Sequence, residues 1–125
     1  MSKTIIVIDD SQIIREQVRI VLKQAGYEVI EAEDGVEGAA AIRTHRGASL
    51  AICDVNMPKL GGIEMLESLH VQNASATLPI IMLTTEGRPD LIERARASGA
   101  KGWMVKPFKP TMLLAAVKKI AGEAI

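Results

Sequence analysis

The sequence predicts an α/β fold: a doubly wound, five-stranded parallel sheet of the (βα)5 kind. Three observations predict it. Five short apolar runs alternate with five stretches of helical periodicity. Three of those runs, Ile5-Ile6-Val7-Ile8, Leu50-Ala51-Ile52-Cys53 and Gly102-Trp103-Met104-Val105, are so short and apolar that they read as strands buried on both faces. Each of the three stops at charge: Asp9-Asp10, Asp54 and Lys106. Parallel strands end along one sheet edge, which is where open α/β folds bind ligands. Three carboxylates and one ammonium therefore gather at one site, suited to a divalent metal and a phosphoryl group.

The elements follow in order. Ser11 caps a first helix, where Ile14, Val18, Val21, Leu22 and Ala25 recur at helical spacing and Gly26 ends it. Glu28 to Ala32 alternates and reads as a half-buried edge strand. Asp34 caps an Ala-rich second helix running to about Arg46. After the third strand, Leu50 to Cys53, comes a loop with Pro58, Gly61 and Gly62; Ile63, Leu66 and Leu69 then mark a third helix. His70 to Leu78 is polar and reads as a loop. Pro79 opens a fourth strand, Ile80 to Leu83. Gly87, Pro89 and Asp90 start a fourth helix that turns Leu91, Ile92 and Ala95 inward and stops at Gly99. The fifth strand is Gly102 to Val105. Pro110 suits a first helical turn, and Leu113, Leu114, Val117, Ile120 and Ala121 form the last stripe.

Composition narrows the class. At 125 residues the chain is one domain, able to bury roughly two-thirds of its unfolded surface. Hydrophobic residues make up 48% but aromatics only 2%, which predicts an aliphatic core. The 15 basic and 15 acidic residues cancel, against non-specific DNA binding, which needs a basic surface. Cys53 is the single cysteine, so no internal disulfide forms. No signal peptide or membrane span is visible, and a reducing cytoplasm is expected. Asn73-Ala74-Ser75 spells a glycosylation acceptor, which has no use without secretion.

The strand-end residues carry specific chemistry. Mg²⁺ takes hard oxygen ligands, commonly one or two carboxylates plus phosphate, and Asp9, Asp10 and Asp54 supply such oxygens. His/Cys spacing for zinc is missing. Asp54 also suits a covalent nucleophile toward phosphorus: an ordinary carboxylate, with a pKa near ~4, needs no general base at neutral pH. A metal and the Lys106 ammonium would screen the repulsion between two anions. The Thr84 hydroxyl, after the fourth strand, suits a phosphate oxygen. Taken singly, each has a plainer role: Asp10 with Ser11 as a helix cap, Asp54 as a turn residue, Thr84 as a β-branched strand residue, Lys106 as a solvated lysine. Jointly, four strand ends with matching chemistry favour the site.

The set resembles the receiver domain of bacterial two-component response regulators, especially the stand-alone, CheY-like members. The matching residues are Asp9-Asp10, the stretch Asp54-Val55-Asn56-Met57-Pro58 through Gly62, Leu83-Thr84, and Lys106-Pro107-Phe108, spread over essentially the whole chain. The resemblance implies a flavodoxin-like sheet of strand order 2-1-3-4-5, an order for which CheY is itself a standard example. It implies a single receiver domain over residues 1–125 with no output domain. Asp54 would accept a phosphoryl group from a histidine kinase; Asp10, Asp54 and the Asn56 carbonyl would hold Mg²⁺, with Asp9 acting largely through water. Lys106 and Thr84 would bind the phosphoryl oxygens, and the Lys106-Pro107 bond would be cis.

The same resemblance implies a switch. Thr84 would move toward the phosphate and Trp103 would turn inward. The face from Asp90 to Ser98, Lys101 to Val105 and Thr111 to Ala121 would then change its affinity for an effector such as a flagellar motor component. Asn56 and Glu86 would set phosphoryl lifetime by flanking the path of an attacking water, and a phosphatase is a further possible partner. The protein would be a monomer, cytoplasmic, free of nucleic acid, and not an enzyme beyond its own phosphorylation and dephosphorylation. Three positions depart from the family pattern: Trp103 is larger than the usual Tyr or Phe, Thr85 replaces a small residue, and Gly61 replaces a polar one.

Other readings compete. A phosphate sink without an effector uses the same site. A small aspartate-nucleophile phosphatase would read Asp54-Val55-Asn56 as a D-x-D motif, but its second acid is Asn56. A flavin domain of similar topology lacks the Gly- and hydroxyl-rich first loop. Cys53 reads as a packing thiol, His45 and His70 as helix-end cations, and Met57, Met65, Met82, Met104 and Met112 as aliphatic filling. The acidic stretch Glu28 to Glu37 reads as a solvated face, with kinase docking as the alternative.

Overall fold

The computed structural model describes residues 2–72 and 78–125. The sequon at 73–75 lies outside the described residues. The order is β1 (Thr4–Ile8), α1 (Gln12–Gln24), β2 (Glu28–Ala32), α2 (Gly35–Thr44), β3 (Leu50–Cys53), α3 (Gly62–Val71), β4 (Ile80–Thr84), α4 (Pro89–Ala97), β5 (Ala100–Val105) and α5 (Pro110–Ala121). All strand pairs are parallel, in the order β2-β1-β3-β4-β5. Fold class and strand order thus stand as expected.

Two apolar clusters sandwich the sheet, because successive strand residues face opposite sides. Ile5 and Val7 join Val18 and Leu22 of α1 and Leu113 and Val117 of α5. Ile6 and Ile8 join Ile42 of α2 and Met65, Leu66 and Leu69 of α3. Each fully buried Leu or Ile contributes about 1.5–3 kcal/mol. The caps follow the sequence signals. Ser11 Oγ accepts from the Ile14 N–H at 3.3 Å, and Asp34 Oδ1 from the Glu37 N–H at 2.8 Å. Gly26 leaves α1 at φ +98°, a conformation that side chains disfavour.

Several boundaries move. α2 stops at Thr44, two residues before Arg46, with His45 as its C-cap. α3 runs on through His70 to Val71, into the segment expected to be loop. β4 gains Thr84, and β5 starts at Ala100 rather than Gly102. β5 is also not buried on both faces: it is an edge strand, and its Val105 is 51% exposed. In α4 only Ala95 is buried, while Leu91 and Ile92 are half-buried, since an edge strand offers little cover. Met65 and Met82 are core, but Met112 is exposed. The core is not purely aliphatic: Tyr27 is fully buried, because its hydroxyl finds the Gly122 carbonyl at 2.5 Å.

Candidate functional site

Register builds the site. Ile8 of β1 pairs with Cys53 of β3, so Asp9 and Asp54 leave the sheet side by side. The Asp54 N–H donates to the Ile8 carbonyl at 3.0 Å, and the Asp9 N–H to the Ala32 carbonyl at 3.0 Å. On the other flank the Lys106 N–H donates to the Thr84 carbonyl at 2.8 Å, carrying the lysine back over the strand ends. Its ammonium lies 2.7 Å from Asp9 Oδ2 and 3.1 Å from Asp54 Oδ2. Asp54 Oδ1 accepts from the Val55 N–H at 2.7 Å. One carboxylate oxygen from each of Asp9, Asp10 and Asp54 lies within 4.8 Å of the others. Asp9 and Asp54 are buried and Asp10 is exposed, beside a cleft of about 410 Å³ that Asn56 and Glu64 also line.

The backbone beneath is tight. A side chain at Gly62 would strike the Asp54 carbonyl, so only glycine lets α3 begin this close to the end of β3. Lys59 has φ +67° in a turn closed by the Leu60 N–H on the Pro58 carbonyl at 2.7 Å. The Lys106-Pro107 bond is cis.

Burial pushes the Asp9 carboxyl above its usual range, against the lowering pull of the Lys106 ammonium and the Ser11 N–H. Burial would lower Lys106, but hydrogen bonds to Asp9 and Asp54 outweigh it and hold the ammonium protonated. The two upward shifts thus have different causes: burial prevails at Asp9, and the two neighbouring carboxylates prevail at Lys106. Burial pushes the Cys53 thiol well up, with Asp54 and Asp9 adding to it, and Cys53 packs in the core as a thiol.

The second flank is a small network. The Trp103 indole N–H donates to the Glu86 carbonyl at 2.9 Å, so Trp103 already packs inward, half-buried. The Glu86 N–H donates to Thr84 Oγ1 at 3.2 Å, and the Asn56 amide to Glu86 Oε1 at 3.4 Å. Asp9, Asp10, Asp54, Asn56, Thr84, Glu86 and Lys106 therefore lie together at this sheet edge, and the Trp103 indole reaches it from within β5. The sequence reading missed Arg15. Its guanidinium donates to the Asp9 carbonyl at 2.6 Å and to Glu31 at 3.1 Å, pinning the acidic loop to β2. A backbone acceptor leaves no trace in residue types, so no signal pointed to it. It also shows that the acidic stretch is only partly a solvated face: Glu31 is paired with Arg15 and Arg19, and Asp34 is buried as a cap.

Residues 5–118 match the response regulator receiver domain. The chain belongs to that family. Helicobacter pylori (strain J99) chemotaxis protein CheY1 is 34% identical over 119 residues, covering 94% of this chain and 96% of that one. The structure of Vibrio cholerae chemotaxis protein CheY4 superposes with a TM-score of 0.88 at 39% identity, covering 96% of this chain and 99% of that one. A Borrelia burgdorferi CheY, solved as a CheX–CheY–BeF3–Mg²⁺ complex, gives a TM-score of 0.87 at 25% identity, over 94% of this chain and 88% of that one. The protein is thus a CheY-like receiver of two-component signalling. Receivers are signalling modules that bind Mg²⁺ at an acidic pocket, and the donor set here fits: clustered carboxylates, without sulfur or imidazole. Among the described residues no helix is long and apolar enough to cross a membrane.

Proposed function

We propose that Asp54 accepts a phosphoryl group from the phosphohistidine of a histidine kinase, in a chemotaxis-type pathway in the cytoplasm. The observation that carries this reading is the Lys106 ammonium 3.1 Å from Asp54 Oδ2, among clustered carboxylates at the sheet edge. In the transfer an Asp54 carboxylate oxygen bonds to phosphorus as the nitrogen–phosphorus bond breaks, and the electron pair returns to the imidazole. Lys106 shifts from carboxylate to phosphoryl oxygen and offsets the added charge. The Thr84 hydroxyl, now an acceptor, keeps its own proton to donate to a phosphoryl oxygen. Asp10, Asp54 and the Asn56 carbonyl would hold Mg²⁺, with Asp9 in support, and the ion would supply charge neutralisation at the phosphoryl oxygens.

Turning Thr84 toward the phosphoryl group frees the Glu86 N–H and biases Trp103. The face of α4, β5 and α5 then favours an effector. The chemotaxis names of the H. pylori and V. cholerae relatives favour a motor-type effector, and the CheX in the B. burgdorferi complex favours a phosphatase partner. We read residues 1–125 as one receiver unit, acting as a monomer. The test is intact mass after incubation with Mg²⁺ and a small phosphodonor. One acid-labile phosphoryl group is expected, lost in Asp54→Asn. No uptake, or uptake that survives the substitution, overturns the reading.

A further inference from the structure

Glu86 is held at three points by three residues from three different segments. Its carbonyl takes the Trp103 indole N–H at 2.9 Å from β5. Its N–H goes to Thr84 Oγ1 at 3.2 Å, at the end of β4. Its carboxylate takes the Asn56 amide at 3.4 Å, from the β3–α3 loop. The last contact is long and exposed, so it has little strength of its own and depends on how well Glu86 is already placed. The placing falls to the indole bond, which is the shortest of the three, part-buried, and made by a group that can only donate.

We propose that Trp103 is a positioning residue for the chemistry at Asp54: by holding the Glu86 backbone, it keeps the Glu86–Asn56 bridge across the two loops beside the acceptor and slows hydrolysis of the acyl phosphate. This rests on Asp54 being the phosphoacceptor. In hydrolysis a water oxygen bonds to phosphorus while the Asp54 oxygen–phosphorus bond breaks. The electron pair returns to the carboxylate, and the water's protons pass to phosphate and solvent. The bridge narrows the approach of that water. Without the indole donor, the Glu86 backbone keeps only the Thr84 contact among the described residues. That contact weakens when the Thr84 hydroxyl turns toward a phosphoryl group. Trp103 therefore matters most in the phosphorylated state, and the inward aromatic is tied to lifetime as well as to the binding face.

The experiment follows loss of the phosphoryl group by intact mass in the full chain with Mg²⁺, after the donor is removed. Trp103→Phe, which keeps the ring and removes the donor, shortens the half-life about fivefold, the scale of one lost hydrogen bond. Trp103→Tyr, whose hydroxyl can donate to the same carbonyl, recovers most of it. Asn56→Ala, which breaks the bridge from its far side, leaves Trp103→Phe with no further effect. An unchanged half-life in Trp103→Phe overturns the proposal, and so does a full effect that persists in the Asn56→Ala background. A labelled parent with an indifferent Trp103→Phe sinks only this inference. A parent that never takes up the group sinks the acceptor assignment with it.

Discussion

The two flanks of the sheet edge are built differently. On the β1–β3 flank the residues bearing Asp9 and Asp54 continue strands paired on both sides, with every residue of β3 buried. On the β4–β5 flank, Lys106 follows an edge strand with one neighbour, a register shift at Ile80/Ile81 and an exposed Val105. The adjoining α4 buries only Ala95 and is tied to α3 by the exposed Arg94–Glu67 pair at 2.8 Å. The acids and Thr84 thus leave doubly paired, buried strands, while Lys106, β5 and α4 belong to the less covered edge. A switch needs this division, because segments that move come from the less stable part of a fold.

Substitution should expose the asymmetry. The largest effect is expected at the β1–β3 flank: Ile52→Ala should cost about 2–5 kcal/mol in denaturant unfolding, against under ~0.5 kcal/mol for Val105→Ala on the less covered edge. Equal costs would erase the distinction. Next comes metal linkage. Mg²⁺ at a hundredfold excess over its dissociation constant should stabilise the parent by about 2.7 kcal/mol. Asp10→Asn should abolish that response and, by relieving repulsion, raise the metal-free melting temperature.

Lys106→Met should cost about 1–3 kcal/mol at neutral pH, because it leaves two carboxylates at a poorly solvated site without their cation. The sign with pH follows from Asp9. Its folded-state pKa is already raised. Such a group adds stability below its ordinary pKa and loses it as pH rises through the folded value. Losing Lys106 raises it further, so the deficit should shrink on acidification from pH 7 toward 5. A deficit that grows with acid contradicts this. The smallest effect is expected at Lys59. Its left-handed φ costs about 1–2 kcal/mol, and glycine returns part of that as backbone entropy, so Lys59→Gly should gain roughly 0.5 kcal/mol.

The same asymmetry explains what was legible in the sequence. Asp9, Asp10 and Asp54 were readable because β1 and β3 are unbroken apolar runs, and parallel pairing then fixes where their last residues go. Ser11, Asp34 and Gly26 were readable because caps are local. β5 misled, since an apolar run does not say whether a second neighbour covers it. The Trp103–Glu86 and Arg15–Asp9 bonds were out of reach because both acceptors are backbone carbonyls. Tyr27 was hidden because its burial depends on the Gly122 carbonyl, at the far end of the chain.

The most direct test compares backbone amide spectra and hydrogen exchange of the Mg²⁺-loaded chain before and after phosphorylation. Changes are expected at Thr84, Glu86, Trp103, Lys106 and along α4, while the amides of β1 and β3 keep their protection. Loss of protection in β1 and β3, or change confined to the immediate neighbours of Asp54, would contradict the account.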